Sequence, residues 1–524
     1  MTDILRDGDT CWRTSRADAL AFLIDGAEYF AAVKAAILNA RRSIWILAWV
    51  FDPLTRLEPD RIERSGDPTT ADRLGLLLRR IAALHPGLDV RILAWDMPFP
   101  LNASQAFAPQ RAAAEFMGSR VKFRLDNSLP NSACHHQKMV VVDGQTAFIS
   151  GGDLGVDRWD TCDHADGDRR RRLPNLHSYR PRHDVAVIVE GPVAQDCARL
   201  FADRWANSEG GRLDLPPPDV STDSPWPNHL IPDLTGRRVA LVRTQPAWKA
   251  QPEVIEGLKL HLAAIAAARR CIYLENQYLA APTIVEALSR RLAEPDGPEV
   301  VAIGPSASPS FFDQMTMDSA RMAAITALTR ADIHGRFHAF CAMTRDGKPI
   351  IVHSKVTIID DGFLRIGSAN LNNRSAGLDT ELDLALEAEP GEAGEATRDA
   401  ITGLRDELVA HFLGRTLADT QAAIAATGGL AAAIDALDSA TRRLLPMEIR
   451  PLGPVAAFIR GWALGDPTSP SDAWRPWRRR RRLRAQRSLI PPSTTLPPRP
   501  PQSAAGDLTP PVTVGRRATR SRAR

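Results

Sequence analysis

Two short segments of the chain repeat one pattern, a histidine followed by a lysine two positions later and by an aspartate five positions after that. The residues are His136, Lys138 and Asp143 in the first segment and His353, Lys355 and Asp360 in the second. The chain has seven lysines, and two of them occupy these places. A phosphodiester suits such groups, because ammonium groups bind its non-bridging oxygens while one imidazole attacks phosphorus and another protonates the leaving oxygen. This chemistry needs no metal ion, and the sequence indicates no cluster of metal ligands and no cofactor.

The residues around each pattern predict how it is held. Alternate residues of a strand face the same side, so each histidine emerges beside its lysine. The apolar runs 139–142 and 356–359 predict buried strands, each followed by a turn that contains aspartate and glycine. An antiparallel return then brings 150–153 beside the first histidine and 368–370 beside the second. Each return carries a polar cluster to the strand end, and these clusters include Asp153, Ser368 and Asn370.

Two kinds of acidic residue accompany the pattern. Asp184 and Glu381 each stand at the head of a later apolar strand, where each could accept a hydrogen bond from the second nitrogen of the histidine in its own segment. Asp143 and Asp360 belong to the motif and so to the candidate catalytic set. Each of them also ends a strand at a turn, which favours a structural role in orienting the hairpin.

The chain also repeats on a larger scale. A helical pattern, two arginines and a short apolar strand occur at 30–47 and again at 258–274, and a further apolar strand follows each unit. Strands that alternate with helices predict an α/β fold with a largely parallel sheet, and the repetition indicates an internal duplication. The expected organisation is a first half at 1–207, a proline-rich linker at 208–238, a second half at 239–465 and a disordered Pro/Arg-rich tail at 466–524.

Composition narrows the class of protein. The 524 residues exceed one ordinary core, and 44% hydrophobic with 24% charged residues is typical of globular domains. Six cysteines without a close pair argue against a zinc ribbon or a disulfide framework. The net charge of +4 hides a basic tail, since residues 473–524 hold 14 arginines and one acid. We expect this tail to meet an anionic lipid surface. No apolar stretch is long enough for a membrane span, and no signal peptide is indicated.

At these motifs the sequence resembles the phospholipase D superfamily, whose signature is the repeated HxKxxxxD motif, and most closely its phospholipases with both motifs in one chain. The resemblance spans most of residues 10–415 and is carried by HHQKMVVVDGQTAFISGGDLGVDRWD, PRHDVAVIVEGP, IYLENQY and GSANLNNRSAGLDTEL. It implies two similar α/β/α sandwich halves, related by a pseudo-twofold axis, that share one active site.

The resemblance also implies roles for individual residues. It implies a covalent phosphohistidine intermediate, with His136 as nucleophile and His353 as acid and then as base for water. The near-symmetry of the two motifs by itself leaves either order open. Lys138, Lys355 and Asn370 would hold the phosphate, while Asp153 stands where the second half has Asn370.

The function implied is hydrolysis of glycerophospholipids to phosphatidate and a free headgroup alcohol, with transfer to a second alcohol left open. A cardiolipin-synthase-like phosphatidyltransferase is the first alternative and a nuclease the second. The acidic body of the chain disfavours nucleic acid as a partner. We expect a monomer, cytoplasmic or peripheral to the membrane, that acts on a phospholipid bilayer surface. Secretion by a non-classical route is the alternative location.

Overall fold

The structure is a computed structural model that describes residues 3–60, 71–98, 109–216, 224–308, 314–438, 443–448, 465–473 and 475–492. The described residues up to Pro491 form one compact unit. The strands of the first half are β1 Arg13–Ile24, β2 Ser43–Ala48, β3 Asp89–Trp95, β4 Lys122–Asp126, β5 Met139–Val142, β6 Thr146–Ser150, β7 Arg182–His183 and β8 Val185–Glu190. The later strands are β9 Leu234–Gln245, β10 Val254–Ile255, β11 Cys271–Glu275, β12 Glu299–Gly304, β13 Phe337–Ala342, β14 Ile351–Val352, β15 Val356–Ile359, β16 Phe363–Gly367, β17 Glu381–Glu387 and β18 Leu444–Pro446.

Helices alternate with these strands. They are α1 Asp25–Asn39, α2 Leu74–Leu84, α3 Pro109–Glu115, α4 Pro192–Asn207, α5 Glu256–Ala267, α6 Pro282–Leu292, α7 Ser319–Ala331, α8 Glu395–Leu413, α9 Leu417–Thr427, α10 Leu430–Asp438, α11 Pro470–Ala473 and α12 Arg479–Arg487. Within the described residues, we find no helix long and apolar enough to cross a bilayer.

One mixed sheet of sixteen strands, counted over the described residues, runs through the protein in the order β18-β13-β12-β11-β15-β16-β17-β9-β1-β8-β6-β5-β2-β3-β4, with β10 beside β9. Outward from β1 the order is β1-β8-β6-β5-β2-β3-β4, and outward from β9 it is β9-β17-β16-β15-β11-β12-β13. The two series match strand for strand, and β1 pairs antiparallel with β9 at the centre. The predicted duplication about a pseudo-twofold axis is therefore confirmed.

The expectation of a largely parallel sheet is wrong. Within the described part of this sheet, parallel pairing is confined to β2-β3-β4 and β11-β12-β13, where helices connect the strands. The short strands β7 and β14 form a separate parallel pair. The strands that carry the histidine motifs turn back through short hairpins, which makes β5-β6 and β15-β16 antiparallel. The next strands, β8 and β17, also pair antiparallel with β6 and β16. A tight turn can join only antiparallel neighbours, so each motif hairpin changes the sheet's direction.

Helices cover both faces of the sheet and make three layers. On one face, α4 and α8 pack over the joined halves with a shared apolar core that includes Phe201 and Phe412. On the other face, α1 and α2 cover the first half and α5, α6 and α7 cover the second. The strands of each motif are buried on both sides, which explains why 139–142 and 356–359 are continuous apolar runs.

The segment boundaries differ from the predicted ones at two places. The linker was placed at 208–238, but β9 begins at Leu234 and Trp226 packs against the core of the first half. Residues 217–223 of that linker lie outside the described residues. The tail was placed at 466–524, but Asp466 accepts hydrogen bonds from the backbone of Asn373 and Arg374, and α12 follows. Residues 493–524 lie outside the described residues.

Candidate active site

The first motif histidine lies immediately before β5 and is anchored by the other half of the molecule. The backbone N–H of His136 donates to the carbonyl of Thr380 over 3.0 Å. Its side chain meets the carboxylate of Glu381, with 2.9 Å between Nδ1 and Oε2. Because Glu381 begins β17, the partner of the first histidine comes from the second half.

The second motif histidine is held in the equivalent way, with the roles of the two halves exchanged. The backbone N–H of His353 donates to the carbonyl of His183 over 2.8 Å. Its Nδ1 lies 2.7 Å from Oδ2 of Asp184, just before β8 of the first half. The expectation that each carboxylate serves the histidine of its own segment is therefore wrong. The halves pair at β1 and β9 about the pseudo-twofold axis, which places each motif histidine opposite the carboxylate that begins a strand of the other half. Each histidine is therefore paired with a carboxylate from the other half.

The two lysines lie beside their histidines and are buried. Nζ of Lys138 donates to the carbonyl of His136 over 2.6 Å, and Nζ of Lys355 donates to the carbonyl of His353. The two repeats also meet at Gly151, where an added Cβ would stand 2.5 Å from a carboxylate oxygen of Asp184 and 3.3 Å from a side-chain carbon of Lys355. The absence of a side chain at Gly151 thus lets the two lysine-histidine pairs converge.

Burial and neighbouring charge set the protonation of these groups. Burial lowers the pKa of His136 and of His353 well below the usual range, and nearby lysines lower both further. Burial also lowers the pKa of Lys355 to about 7 and raises the pKa of Glu381 to about 7. Without a bound anion, the site therefore favours neutral imidazoles. A phosphate between the lysines would offset this by stabilising the positive forms.

The carboxylate of Glu381 is held by two hydroxyl groups. Oγ of Ser368 donates to Oε2 and Oγ of Ser375 donates to Oε1, each over 2.6 Å. Ser368, a predicted site residue, therefore supports Glu381. Ser375 was not predicted, because only the turn of 370–375 brings its hydroxyl to the carboxylate. Its closeness in sequence to the second motif is the one feature that could have suggested a role in the site. Asn370 lies beside this turn, and its Oδ1 is buried without a hydrogen-bond partner among the described residues.

Asp143 and Asp360, named with the catalytic set, lie away from the histidines. Asp143 accepts hydrogen bonds from the backbone N–H groups of Arg41, Arg42 and Ser43 over 2.7–2.8 Å. Asp360 does the same with the equivalent residues 269–271 of the second half over 2.7–2.9 Å. Both aspartates have positive φ at the far end of the motif strand. Their structural role, favoured on sequence grounds, ties the hairpin to the start of the neighbouring strand.

Asp153 is in the site but is engaged by the protein. Its Oδ1 accepts hydrogen bonds from the backbone N–H groups of Trp49 and Val50 over 2.8 and 3.1 Å. Its Oδ2 lies 3.6 Å from Nζ of Lys138. A carboxylate in this position orients the lysine and would repel a phosphate, so Asp153 belongs with the supporting residues.

The assembled groups suit nucleophilic displacement at phosphorus. An Nδ1–H that donates to Glu381 leaves the Nε2 lone pair of His136 available, and Asp184 orients His353 in the same way. The side chains of these histidines keep 14% and 10% of their surface exposed, so a substrate can reach them. The tautomer follows from the hydrogen-bond partner, as in other carboxylate–histidine pairs.

Comparisons with known proteins find sequences that resemble this chain. A family model described as "Cardiolipin synthase, PLD-like domain" matches residues 261–399. Phospholipase D zeta 1 of Arabidopsis thaliana is 30% identical over 41% of this chain and 22% of its own length. Phospholipase D A of Dictyostelium discoideum is 25% identical over 69% of this chain and 32% of its own length. The matched region thus spans about a fifth to a third of these two relatives.

A solved structure has the same fold. The crystal structure of phosphatidylserine synthase from Haemophilus influenzae Rd KW20 aligns with a TM-score of 0.51 at 13% identity and covers 76% of this chain and 87% of that one. At this identity, the likeness concerns the arrangement of helices and strands alone.

Proposed function

Because this chain belongs to the phospholipase D superfamily, we propose that it is a phospholipase D-type phosphodiesterase that hydrolyses glycerophospholipids to phosphatidate and a free headgroup alcohol. The observation that carries the proposal is the crossed pairing, in which each motif histidine has on its Nδ1 a carboxylate from the other half. Lipid as substrate is supported by the relatives named phospholipase D.

The first step forms a covalent intermediate. Lys138 and Lys355 bind the non-bridging oxygens of the phosphodiester, and Nε2 of His136 attacks phosphorus. The P–O bond to the headgroup breaks as His353 gives its proton to the leaving oxygen. The products of this step are the headgroup alcohol and a phosphatidyl group on His136. Glu381 stabilises the positive charge that develops on the attacking imidazole.

The second step returns the enzyme to its starting state. His353, now neutral, takes a proton from a water molecule, and the water oxygen attacks phosphorus. The P–N bond to His136 breaks and phosphatidate leaves. An alcohol in place of water gives transphosphatidylation with the same bonds made and broken.

A phosphatidyltransferase of the cardiolipin-synthase kind is the second candidate, favoured by the description of the matching family model. In that reaction phosphatidylglycerol intercepts the intermediate. Vesicles that contain both phosphatidylglycerol and phosphatidylethanolamine, followed by chromatographic separation of the lipids, distinguish the two. Accumulated phosphatidate supports hydrolysis, and accumulated cardiolipin supports transfer.

The central test is headgroup release from phosphatidylcholine and phosphatidylethanolamine vesicles, with plasmid nicking measured beside it. We expect lipid turnover that disappears in His136→Ala and in His353→Ala and persists in His334→Gln, a matched control at an exposed histidine. Unchanged turnover in either alanine variant contradicts the two-histidine mechanism. Plasmid nicking without lipid turnover would favour the nuclease.

We also propose that α12 contacts anionic lipid. It exposes Arg480, Arg481 and Arg484, and the preceding Trp477 is 67% exposed. Arginine and tryptophan together favour the headgroup region of a bilayer. Phosphatidylglycerol added to phosphatidylcholine vesicles should increase binding of the unmodified chain more than that of the triple alanine variant at 480, 481 and 484. Equal binding would contradict this attachment.

A further inference from the structure

A second cluster of titratable side chains lies buried beside the active site. It consists of Asp25, His164, His183 and His411, each of which offers one ligand atom, and these atoms all lie within 4.8 Å of one another. Asp25 begins α1, His164 lies in the loop before β7, His183 lies in β7, and His411 lies in the last turn of α8. Three residues therefore come from the first half and one from the second.

Three of the distances inside the cluster are close to those of a small coordination shell. Nε2 of His164 and Nε2 of His411 lie 3.0 Å apart, and Oδ2 of Asp25 lies 3.3 Å from the latter. Nδ1 of His183 lies 2.9 Å from Oδ1 of Asp25. Ligand atoms around a tetrahedral zinc ion with bonds of about 2.0–2.1 Å are separated by about 3.3 Å.

The outer nitrogens of two imidazoles already have carboxylate partners. Nδ1 of His164 lies 2.9 Å from Oδ2 of Asp160, and Nε2 of His183 lies 3.0 Å from Oε2 of Glu275. A carboxylate on the far nitrogen holds the proton there and turns a lone pair toward the centre. Metal-ligating histidines are commonly supported in this way.

Two of the inward-facing atoms form no well-aligned hydrogen bond among the described residues, although one of them, Nδ1 of His183, is within ion-pair distance of Asp25. They are Oδ2 of Asp25 and Nδ1 of His183, and both are buried. The side chains of these two residues have no exposed surface. An unpartnered polar atom in such a place costs about 1–3 kcal/mol unless something binds it. A cation at the centre of the cluster would satisfy both atoms at once.

We propose that Asp25, His164, His183 and His411 form a structural site for one divalent transition metal of the zinc type. Three imidazoles and one carboxylate suit such an ion, whereas calcium or magnesium would require mainly oxygen ligands. Four protein ligands fill a tetrahedral shell and leave no position for substrate, so the ion does not take part in phosphodiester chemistry. The sequence expectation of no metal missed this cluster because its ligands are far apart in the chain.

The site would act as a clamp between the halves. His411 of α8 and the three ligands of the first half would be joined through one ion. The carbonyl of His183 accepts the backbone hydrogen bond of His353, and the next residue, Asp184, holds the imidazole of His353. The metal would therefore stabilise the fold and position Asp184, and its loss would loosen the second half of the active site.

The test begins with the full chain, expressed in zinc-supplemented medium and purified without a metal-affinity step. Elemental analysis should find about one zinc per chain. Removal of zinc by dialysis against a chelator should lower the Tm, and zinc added back should restore it. Neither readout depends on turnover of any lipid. A metal-free preparation whose Tm does not change when zinc is added would overturn the proposal. The four side chains would then be held together by hydrogen bonds alone.

Variants at His411 locate the ion. His411→Gln should lose the metal, while the exposed His334→Gln should keep it. In protein loaded with Co²⁺ instead of zinc, tetrahedral coordination gives strong visible bands, and His411→Cys should add a thiolate charge-transfer band. If His411→Gln fails to fold, the cobalt spectra of the unmodified chain and of His411→Cys decide the question. Octahedral-type spectra, or a cysteine variant without the new band, would exclude this cluster.

Discussion

The two halves of the active site share one backbone plan and differ in their carboxylates. In the first half-site, His136 is paired with Glu381, which is wholly buried and accepts two serine hydroxyls. In the second, His353 is paired with Asp184, whose side chain is 12% exposed and accepts a backbone N–H. The duplication thus supplied equivalent positions, and later side-chain differences made the two histidines chemically unequal. The following predictions use that difference.

The largest expected effect comes from the histidines themselves. Alanine at His136 or His353 should lower kcat/KM on a natural phospholipid by about 10⁴-fold or more, since each group forms or breaks a bond. A phosphatidyl ester of p-nitrophenol needs no acid, because its leaving group is stable as an anion. We expect a burst of p-nitrophenolate from His353→Ala and none from His136→Ala, measured by stopped flow. The opposite pattern would exchange the roles of the two histidines.

The carboxylates should have the next largest effect. Glu381→Gln should lower kcat by about 10²–10³-fold, because an amide cannot stabilise the imidazolium that forms at His136. Glu387→Gln is the matched control, since Glu387 lies at the other end of β17 and binds the backbone of Ile4 and Leu5. We expect its kcat to stay within about threefold of the unmodified enzyme. Equal losses in the two variants would mean that the strand, and not the carboxylate, is important.

The motif aspartates should affect stability more than chemistry. Asp143→Ala should lower the free energy of unfolding by about 2–4 kcal/mol, because three backbone N–H groups lose a charged acceptor. Asp360→Ala should cost less, since two of its three hydrogen bonds are exposed whereas those of Asp143 are buried or partly buried. Urea unfolding measures both. The folded fraction of each variant should keep the kcat of the unmodified enzyme. A loss of kcat above about tenfold would mean that these aspartates take part in catalysis.

The smallest effect concerns pH. Folding raises the pKa of Glu381 from 4.5 to about 7, with burial as the cause. Its ionised form is needed for catalysis, so kcat/KM should fall as the pH falls through 7. The contribution of this group to stability has the opposite sign: it is fully present below pH 4.5 and lost as the pH rises through 7.

Ser375 provides the test of that assignment. Its hydroxyl stabilises the carboxylate, so Ser375→Ala should raise the pKa of Glu381 and move the acid limb of the kcat/KM profile upward by about half a unit. Ser208→Ala is the control, since this buried hydroxyl donates to the carbonyl of Trp205 away from the site. An acid limb that stays in place in Ser375→Ala would assign it to another group.

Much of the local structure could be predicted from the sequence. Strands β5 and β15 have the predicted bounds, because unbroken apolar runs between turn residues leave few alternatives. The antiparallel return was also predictable, and the backbone N–H groups of Ser150 and Gly367 donate to the carbonyls of Lys138 and Lys355 as the register requires. Parallel or antiparallel pairing of the remaining strands was not predictable, since it depends on which strands become neighbours.

The six motif residues and the duplication could be recognised from the sequence alone, because two repeats of a rare spacing constrain residue types and local geometry. The same residues favoured phosphodiester chemistry. The folded structure was needed to show which carboxylate serves which histidine. It also showed that Asp143 and Asp360 hold the strand, that Ser375 holds Glu381, and that Asp25 meets three distant histidines. The physical reason is that the crossed pairs join segments far apart in the chain, since 245 residues separate His136 from Glu381 and 169 separate Asp184 from His353. The antiparallel pairing of β1 with β9 brings those two halves together.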